Sequence, residues 1–149
     1  MGSHGYSVTV RTDAAPERVY DLLADAPGWP RWAGSAVAEG SWVRLGDPPP
    51  GGVGAIRRLG RRPVYAAEEI VVADRPRHHA YRIVSGPNPV RNYRADVRLA
   101  ADGTGTRITW RGEFDPIVPG TGALLARGYR AMISGFARRL AAYAARPGT

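Results

Sequence analysis

The sequence predicts an α+β domain: a curved antiparallel sheet of about seven strands wrapped around one long C-terminal helix, with two short helices after the first strand. Three observations predict it. Alternating apolar and polar residues recur in short segments, the period of half-buried strands. Glycine, proline and aspartate separate those segments closely enough that they must join by hairpins, so the sheet is antiparallel. After Pro119-Gly120-Thr121-Gly122 the spacing of apolar residues changes to three and four in one long run to Tyr143. With 149 residues, the chain is one domain in size.

Tyr6 to Arg11 alternates strictly and reads as the first strand. Asp13 to Pro16 ends it. Pro16 suits the first helical turn and Glu17 its positive end. Val19, Leu22 and Leu23 then share one face, giving a helix over about Pro16 to Ala24. Ala26 to Trp32 reads as a turn with a second, short helix. Strands are expected at Ala36–Leu45, Val53–Leu59, Val64–Ala73, His79–Ser85, Val90–Leu99 and Thr106–Phe114. The Pro48-Pro49-Pro50-Gly51-Gly52 run cannot continue a ladder and is a loop. Asp102-Gly103-Thr104-Gly105 is a hairpin signal. The last helix spans about Ala123 to Ala145, with Thr121 as N-cap and Pro147-Gly148 as its stop. Leu125, Tyr129, Met132, Phe136, Leu140 and Tyr143 form its apolar face, and that helix is the only element large enough to cover the sheet's concave side.

Composition removes several chemistries. The chain has no cysteine, so it has no thiol nucleophile, redox pair or Cys-ligated zinc. All 21 basic side chains are arginine, which excludes a Schiff-base or phosphate-loop lysine. His78 and His79 are adjacent, and on a strand they point to opposite faces, so no metal site is expected. The net charge of +8 is spread without a run longer than Arg-Arg; a basic surface dispersed in this way reads as solubility and not as nucleic-acid binding. No segment approaches the ~18 apolar residues of a membrane span. Residues 1–4 read as the remnant of an expression tag, leaving a single domain over 5–147. A cytoplasmic protein, monomeric or homodimeric and without a cofactor, is expected.

Face assignment supplies the candidate site. Trp110, Gly112 and Phe114 share the inner side with Ile108; Tyr93, Ala95, Val97 and Leu99 line the strand before; Tyr81, Ile83 and Ser85 form a third row. Aromatic residues beside small ones, as in Tyr65 beside Ala67, either interdigitate solidly or border a void. An empty void of ~300 Å³ would cost on the order of 7 kcal/mol, so one that persists is expected to be used. Trp29, Met132 and Phe136 would close its other side, and Arg91 would stand near it. Glu68-Glu69 turns one carboxylate inward, and Arg57-Arg58 turns one guanidinium inward. An inward Glu would have a raised pKa suited to acid or base work, unless it sits at the rim bonded to an arginine. An inward Arg could bind a carboxylate or polarise a carbonyl.

Five segments, Ala15-Pro16-Glu17-Arg18-Val19-Tyr20, Gly28-Trp29-Pro30-Arg31-Trp32, the strand Tyr65 to Val72 ending at Asp74-Arg75-Pro76, Tyr81 to Pro87, and Gly105 to Trp110, appear in an order that resembles the START-like helix-grip (SRPBCC) superfamily. More narrowly the chain is similar to the polyketide cyclase/dehydrase group. The resemblance implies a deep cavity between sheet and long helix that takes lipids, hormones, aromatic polyketides or other apolar molecules. In the aromatase/cyclase branch an inward arginine and a tyrosine handle carbonyls and protons; the matching positions here hold Glu69 and approximately Ala36. Glu69, Arg57 and Arg58 are therefore the candidate catalytic residues, with Arg91 or Tyr93 as a further acid. Trp29, Tyr65, Tyr81, Ile83, Arg91, Tyr93, Ala95, Trp110, Phe114, Met132 and Phe136 are the candidate ligand contacts. The expected partner is a small hydrophobic, polyketide- or lipid-like molecule, either merely carried or turned over by a cyclase/dehydratase-like activity. An arginine-rich nucleic-acid or membrane-surface binder is the third reading.

Overall fold

The computed structural model describes residues 4–147; the expectations for residues 1–3 and for Gly148 lie outside them. In chain order the elements are β1 (His4–Thr12), α1 (Pro16–Ala24), a 3-10 helix (Ala26–Arg31), β2 (Glu39–Arg44), β3 (Ile56–Arg61), β4 (Val64–Asp74), β5 (His78–Ser85), β6 (Val90–Asp102), β7 (Gly105–Pro116) and α2 (Gly122–Ala144). The seven strands form one antiparallel sheet in the order β1-β7-β6-β5-β4-β3-β2. Six strands thus follow as a meander, while β1 crosses by way of α1 and the 3-10 helix and pairs with the last strand.

Each helix forms where the sequence makes it inexpensive. Pro16 occupies the first turn of α1 and Glu17 stands at its positive end. Val19 and Leu23 then bury completely, each worth roughly 1.5–3 kcal/mol. α2 packs along β1, β7 and α1 through Ile133, Ala137, Leu140, Ala141 and Ala144. Thr12 donates its hydroxyl to Ala141 O at 2.7 Å and Arg18 donates Nε to Ala144 O at 2.7 Å, which ties the end of α2 to β1 and α1.

Several boundaries differ from expectation. Val53 leaves the ladder to bridge Asp47, and Gly54 takes φ +90, so β3 starts at Ile56. The β6–β7 hairpin runs to its turn: Asp102 pairs with Gly105. Gly103 adopts φ +63, the conformation a two-residue hairpin asks of glycine. Thr121 stands at the N-cap of α2 but does not cap it; its hydroxyl turns back to donate to Val118 O at 2.7 Å.

The convex face carries the charge. Arg82 pairs with Glu69 at 2.6 Å, and Arg94 pairs with Asp96, which also meets His78 Nε2 at 2.7 Å. On the concave face the aromatic and small residues of β6 and β7 interdigitate. A Cβ at Gly112 would stand 2.3 Å from the Tyr6 ring, which therefore fills the space above that glycine. Ala95 and Trp110 are wholly buried and Phe114 nearly so. At this end of the sheet the solid packing is realised.

Candidate functional site

The space that remains lies between β3–β6 and the first half of α2. It is a cavity of about 250 Å³ walled by Trp29, Leu59, Tyr81, Ile83, Tyr93 and Phe136. Gly60 and Ala66 line it on the sheet side. Val64, Pro87, Asn88, Tyr129 and Met132 border its open end, where the Tyr129 hydroxyl donates to Asn88 Oδ1 at 3.4 Å.

Glu68 is the carboxylate in that wall. Arg57 lies beside it, because β3 and β4 pair Arg57 with Glu68 in register. Arg57 has no exposed surface. Its Nε donates to Glu68 Oε1 at 2.9 Å and its Nη1 to Leu23 O at 2.9 Å. Its guanidinium carbon stands 4.9 Å from the Trp29 ring centre and 5.0 Å from that of Tyr81, so two aromatic faces hold the cation. Trp29 is fixed in turn by donating Nε1 to Leu23 O at 2.8 Å. Burial raises the Glu68 pKa, and the guanidinium only partly offsets the shift.

Tyr81 and Tyr93 continue the polar wall, and Tyr6 stands behind them in the core. Trp110 donates Nε1 to the Tyr81 hydroxyl at 3.3 Å, leaving the Tyr81 proton to be donated elsewhere. The hydroxyls of Tyr6 and Tyr93 share one hydrogen bond. Burial holds all three phenols above the usual tyrosine range, Tyr81 further so through Glu68. The wall therefore offers a carboxyl able to give or take a proton, next to phenols that remain protonated.

Of the expected contacts, Trp29, Tyr81, Ile83, Tyr93, Met132 and Phe136 line the cavity. Ala95, Trp110 and Phe114 pack the core behind it. Tyr65 borders the opening, but its hydroxyl binds Glu39 and its ring carries Arg58 at 4.3 Å, so its functional end is on the outer side. Arg58 is exposed there for the same reason. Arg91 is also exposed, at a break in the β6–β7 ladder between Arg91 and Arg94. Glu69 is corrected too: it faces outward between Arg44 and Arg82. The parity that holds Ala66, Glu68 and Ile70 is the inner one, so Tyr65 and Ala67 do not form an inner row. Ser85 is exposed at the end of β5.

Sequence reasoning gave no site role to Tyr6, and it left Glu68 undecided. Tyr6 sits opposite Gly112 in the β1–β7 register, and an aromatic facing a glycine across strands was a usable signal. His78 and His79 point to opposite faces, His79 inward against the Tyr20 ring at 5.7 Å. Among the described residues, no group of three or more His, Cys, Asp or Glu could hold a metal.

Comparison with known proteins bears on the family and the fold. The profile of a family described as "Polyketide cyclase / dehydrase and lipid transport" matches residues 3–145. Uncharacterised proteins of Mycobacterium bovis and Mycobacterium tuberculosis are 30% identical over 104 residues, 68% of this chain and 60% of theirs. The chain thus spans less than two thirds of those relatives. A START superfamily protein from Mycobacterium smegmatis superposes with a TM-score of 0.81 at 12% identity, covering 95% of this chain and 97% of that one. XoxI from Bacillus cereus gives 0.74 at 19% identity, covering 94% of each chain. Ara h 8.0201 gives 0.78 at 15% identity, covering 96% of this chain and 98% of the other. These likenesses establish the START-like helix-grip fold.

Proposed function

The chain belongs to the polyketide cyclase/dehydrase and lipid transport family, and from that premise we propose that it binds a small polyketide- or lipid-like molecule in the cavity between the sheet and α2. One observation carries the reading: a cavity walled mainly by apolar and aromatic side chains contains one carboxylate, Glu68, held by a fully buried arginine. Buried ion pairs rarely repay their desolvation in stability, so their placement on an apolar cavity wall favours a role in orienting a ligand. At about 24 cal/mol per Å³, leaving 250 Å³ empty would cost at most about 6 kcal/mol, comparable with the whole stability of a domain. The volume lies just below the ~300–1,000 Å³ of common ligand sites, which favours a compact ligand with one polar group. The reading requires no cofactor and no nucleic acid, and it takes the protein to be a cytoplasmic monomer or homodimer.

Cyclase/dehydratase-like turnover is the second reading, favoured by the pairing of a raised carboxyl with an oriented phenol. Glu68 would take a proton from the carbon next to a ligand carbonyl, and the Tyr81 proton would be donated to the developing oxyanion. Carriage alone needs neither step. Ala66→Leu fills the cavity from the sheet side. The expected result is a thermal shift of the wild type by members of a panel of aromatic polyketides and apolar dyes, lost in Ala66→Leu. A panel that shifts neither protein, or both equally, refutes binding in the cavity. Glu68→Gln then separates the two readings: a carrier keeps its ligand, whereas an enzyme loses turnover.

A further inference from the structure

The polar atoms of the cavity wall are partly committed to one another, and what they leave over sets what a ligand has to offer. Arg57 Nε occupies one oxygen of Glu68, Oε1, at 2.9 Å. The other oxygen, Oε2, accepts no hydrogen bond among the described residues. The Glu68 side chain keeps 11% of its surface accessible, whereas Arg57 keeps none. Glu68 is a wall residue of the cavity and Arg57 is not. Arg57 Nη2 also has no partner, but it is sealed from contact. A ligand therefore meets the carboxylate and not the guanidinium behind it.

Tyr81 stands in the same wall. An indole N–H can only donate, so Trp110 Nε1 takes up a lone pair of the Tyr81 oxygen at 3.3 Å. The phenol proton itself finds no acceptor among the described residues. Glu68 is near enough to act on this phenol electrostatically. The Tyr93 hydroxyl, by contrast, is engaged with that of Tyr6. One uncommitted acceptor, Glu68 Oε2, and one uncommitted donor, the Tyr81 hydroxyl, are thus left side by side in a wall that is otherwise mainly apolar.

We infer that the ligand's polar group is a neutral hydroxyl, which donates to Glu68 Oε2 and accepts from the Tyr81 hydroxyl, and that free acids are excluded from the cavity. A hydroxyl is the small group that both donates and accepts. A carboxylate only accepts, and it sets its charge against that of Glu68. An ether or ketone accepts from Tyr81 but leaves Oε2 bare, and an unmatched buried polar atom is costly. An ammonium donates but cannot accept, and it adds a positive charge beside Arg57, which already balances Glu68. The inference deepens the binding function proposed above and rests on it.

The test is equilibrium dialysis near neutral pH with probes that share one compact aromatic body, suited to a cavity of about 250 Å³: naphthol, naphthylmethanol, the methyl ether of naphthol, naphthoate and naphthylmethylammonium. The better of the two hydroxyl compounds should bind at least about tenfold tighter than the ether, the acid and the ammonium. Which of the two ranks first tells a phenol from an alcohol, and either upholds the inference. Glu68→Gln can still pair with a hydroxyl but no longer repels an anion. In it the preference for naphthol over naphthoate should shrink about tenfold or more while naphthol still binds. Tyr81→Phe should weaken naphthol and its ether about two- to tenfold and leave the ammonium unchanged. Circular dichroism confirms that each variant folds, and the wild-type ranking stands without them. An ether, acid or ammonium that binds as tightly as the hydroxyl compounds overturns the inference, as does a ranking that Glu68→Gln leaves intact. Cavity binding as such survives either result when Ala66→Leu abolishes it. If none of the compounds binds, the inference and the reading it rests on fall together.

Discussion

Replacing Arg57 with methionine perturbs the site at its centre. Methionine keeps much of the side chain's length and removes the charge. Glu68 is then left in an apolar wall without the cation 2.9 Å away. Leu23 O keeps its bond from Trp29 Nε1, so the stranded carboxylate dominates the cost. Breaking one side of a buried ion pair costs about 3–5 kcal/mol. At roughly 2–4 °C per kcal/mol for a domain of this size, Tm should fall by about 6–20 °C. The deficit also has a pH signature. Burial already holds the Glu68 pKa above its ordinary 4.5, and without the guanidinium it rises further. A carboxyl raised on folding contributes stability that is present below 4.5 and lost as pH climbs through its folded pKa. The deficit relative to wild type is therefore smallest near pH 4.5 and grows toward neutrality. His79, whose pKa Arg57 helps to lower, shifts the comparison in the same direction. Arg57→Met/Glu68→Leu removes both charges and should recover most of the loss. Urea unfolding followed by tryptophan fluorescence, at matched pH values, measures all three proteins. A deficit under about 1 kcal/mol at neutral pH, one that does not shrink in acid, or no rescue by Glu68→Leu would refute the account.

Other expectations follow from individual contacts. Gly112→Ala drives a methyl into the Tyr6 ring and should cost about 1–3 kcal/mol, read by denaturant unfolding, with loss of the Tyr6–Tyr93 bond. His79 is held well below its ordinary 6.5, chiefly by burial and then by Arg57. Its contribution to stability is thus present above pH 6.5 and lost as pH falls toward its folded pKa. His79→Phe should accordingly lose less stability than the wild type between pH 6.5 and 5; equal acid slopes would rule this out. Glu69→Gln, at a half-buried position on the convex face, should change stability by less than about 1 kcal/mol and leave dye binding unaltered, whereas a loss matching that of a cavity variant would show the face assignment of β4 to be wrong.

Much of this architecture is a consequence of local chemistry. Pro16 and Glu17 start α1 wherever the chain goes, Gly103 bends the β6–β7 hairpin, and the three-and-four spacing from Leu125 to Leu140 makes α2 amphipathic. Period-two alternation likewise placed Ile108, Trp110 and Phe114 on one face before any neighbour was known. What alternation cannot do is choose the parity of a strand whose two faces are both mixed. A slip of one residue exchanges the faces, and in β4 it exchanges Glu69 for Glu68. Tertiary contacts decide that choice: Arg57 fits between Trp29 and Tyr81, its partner Glu68 must then face inward, and Glu69 is left to Arg44 and Arg82.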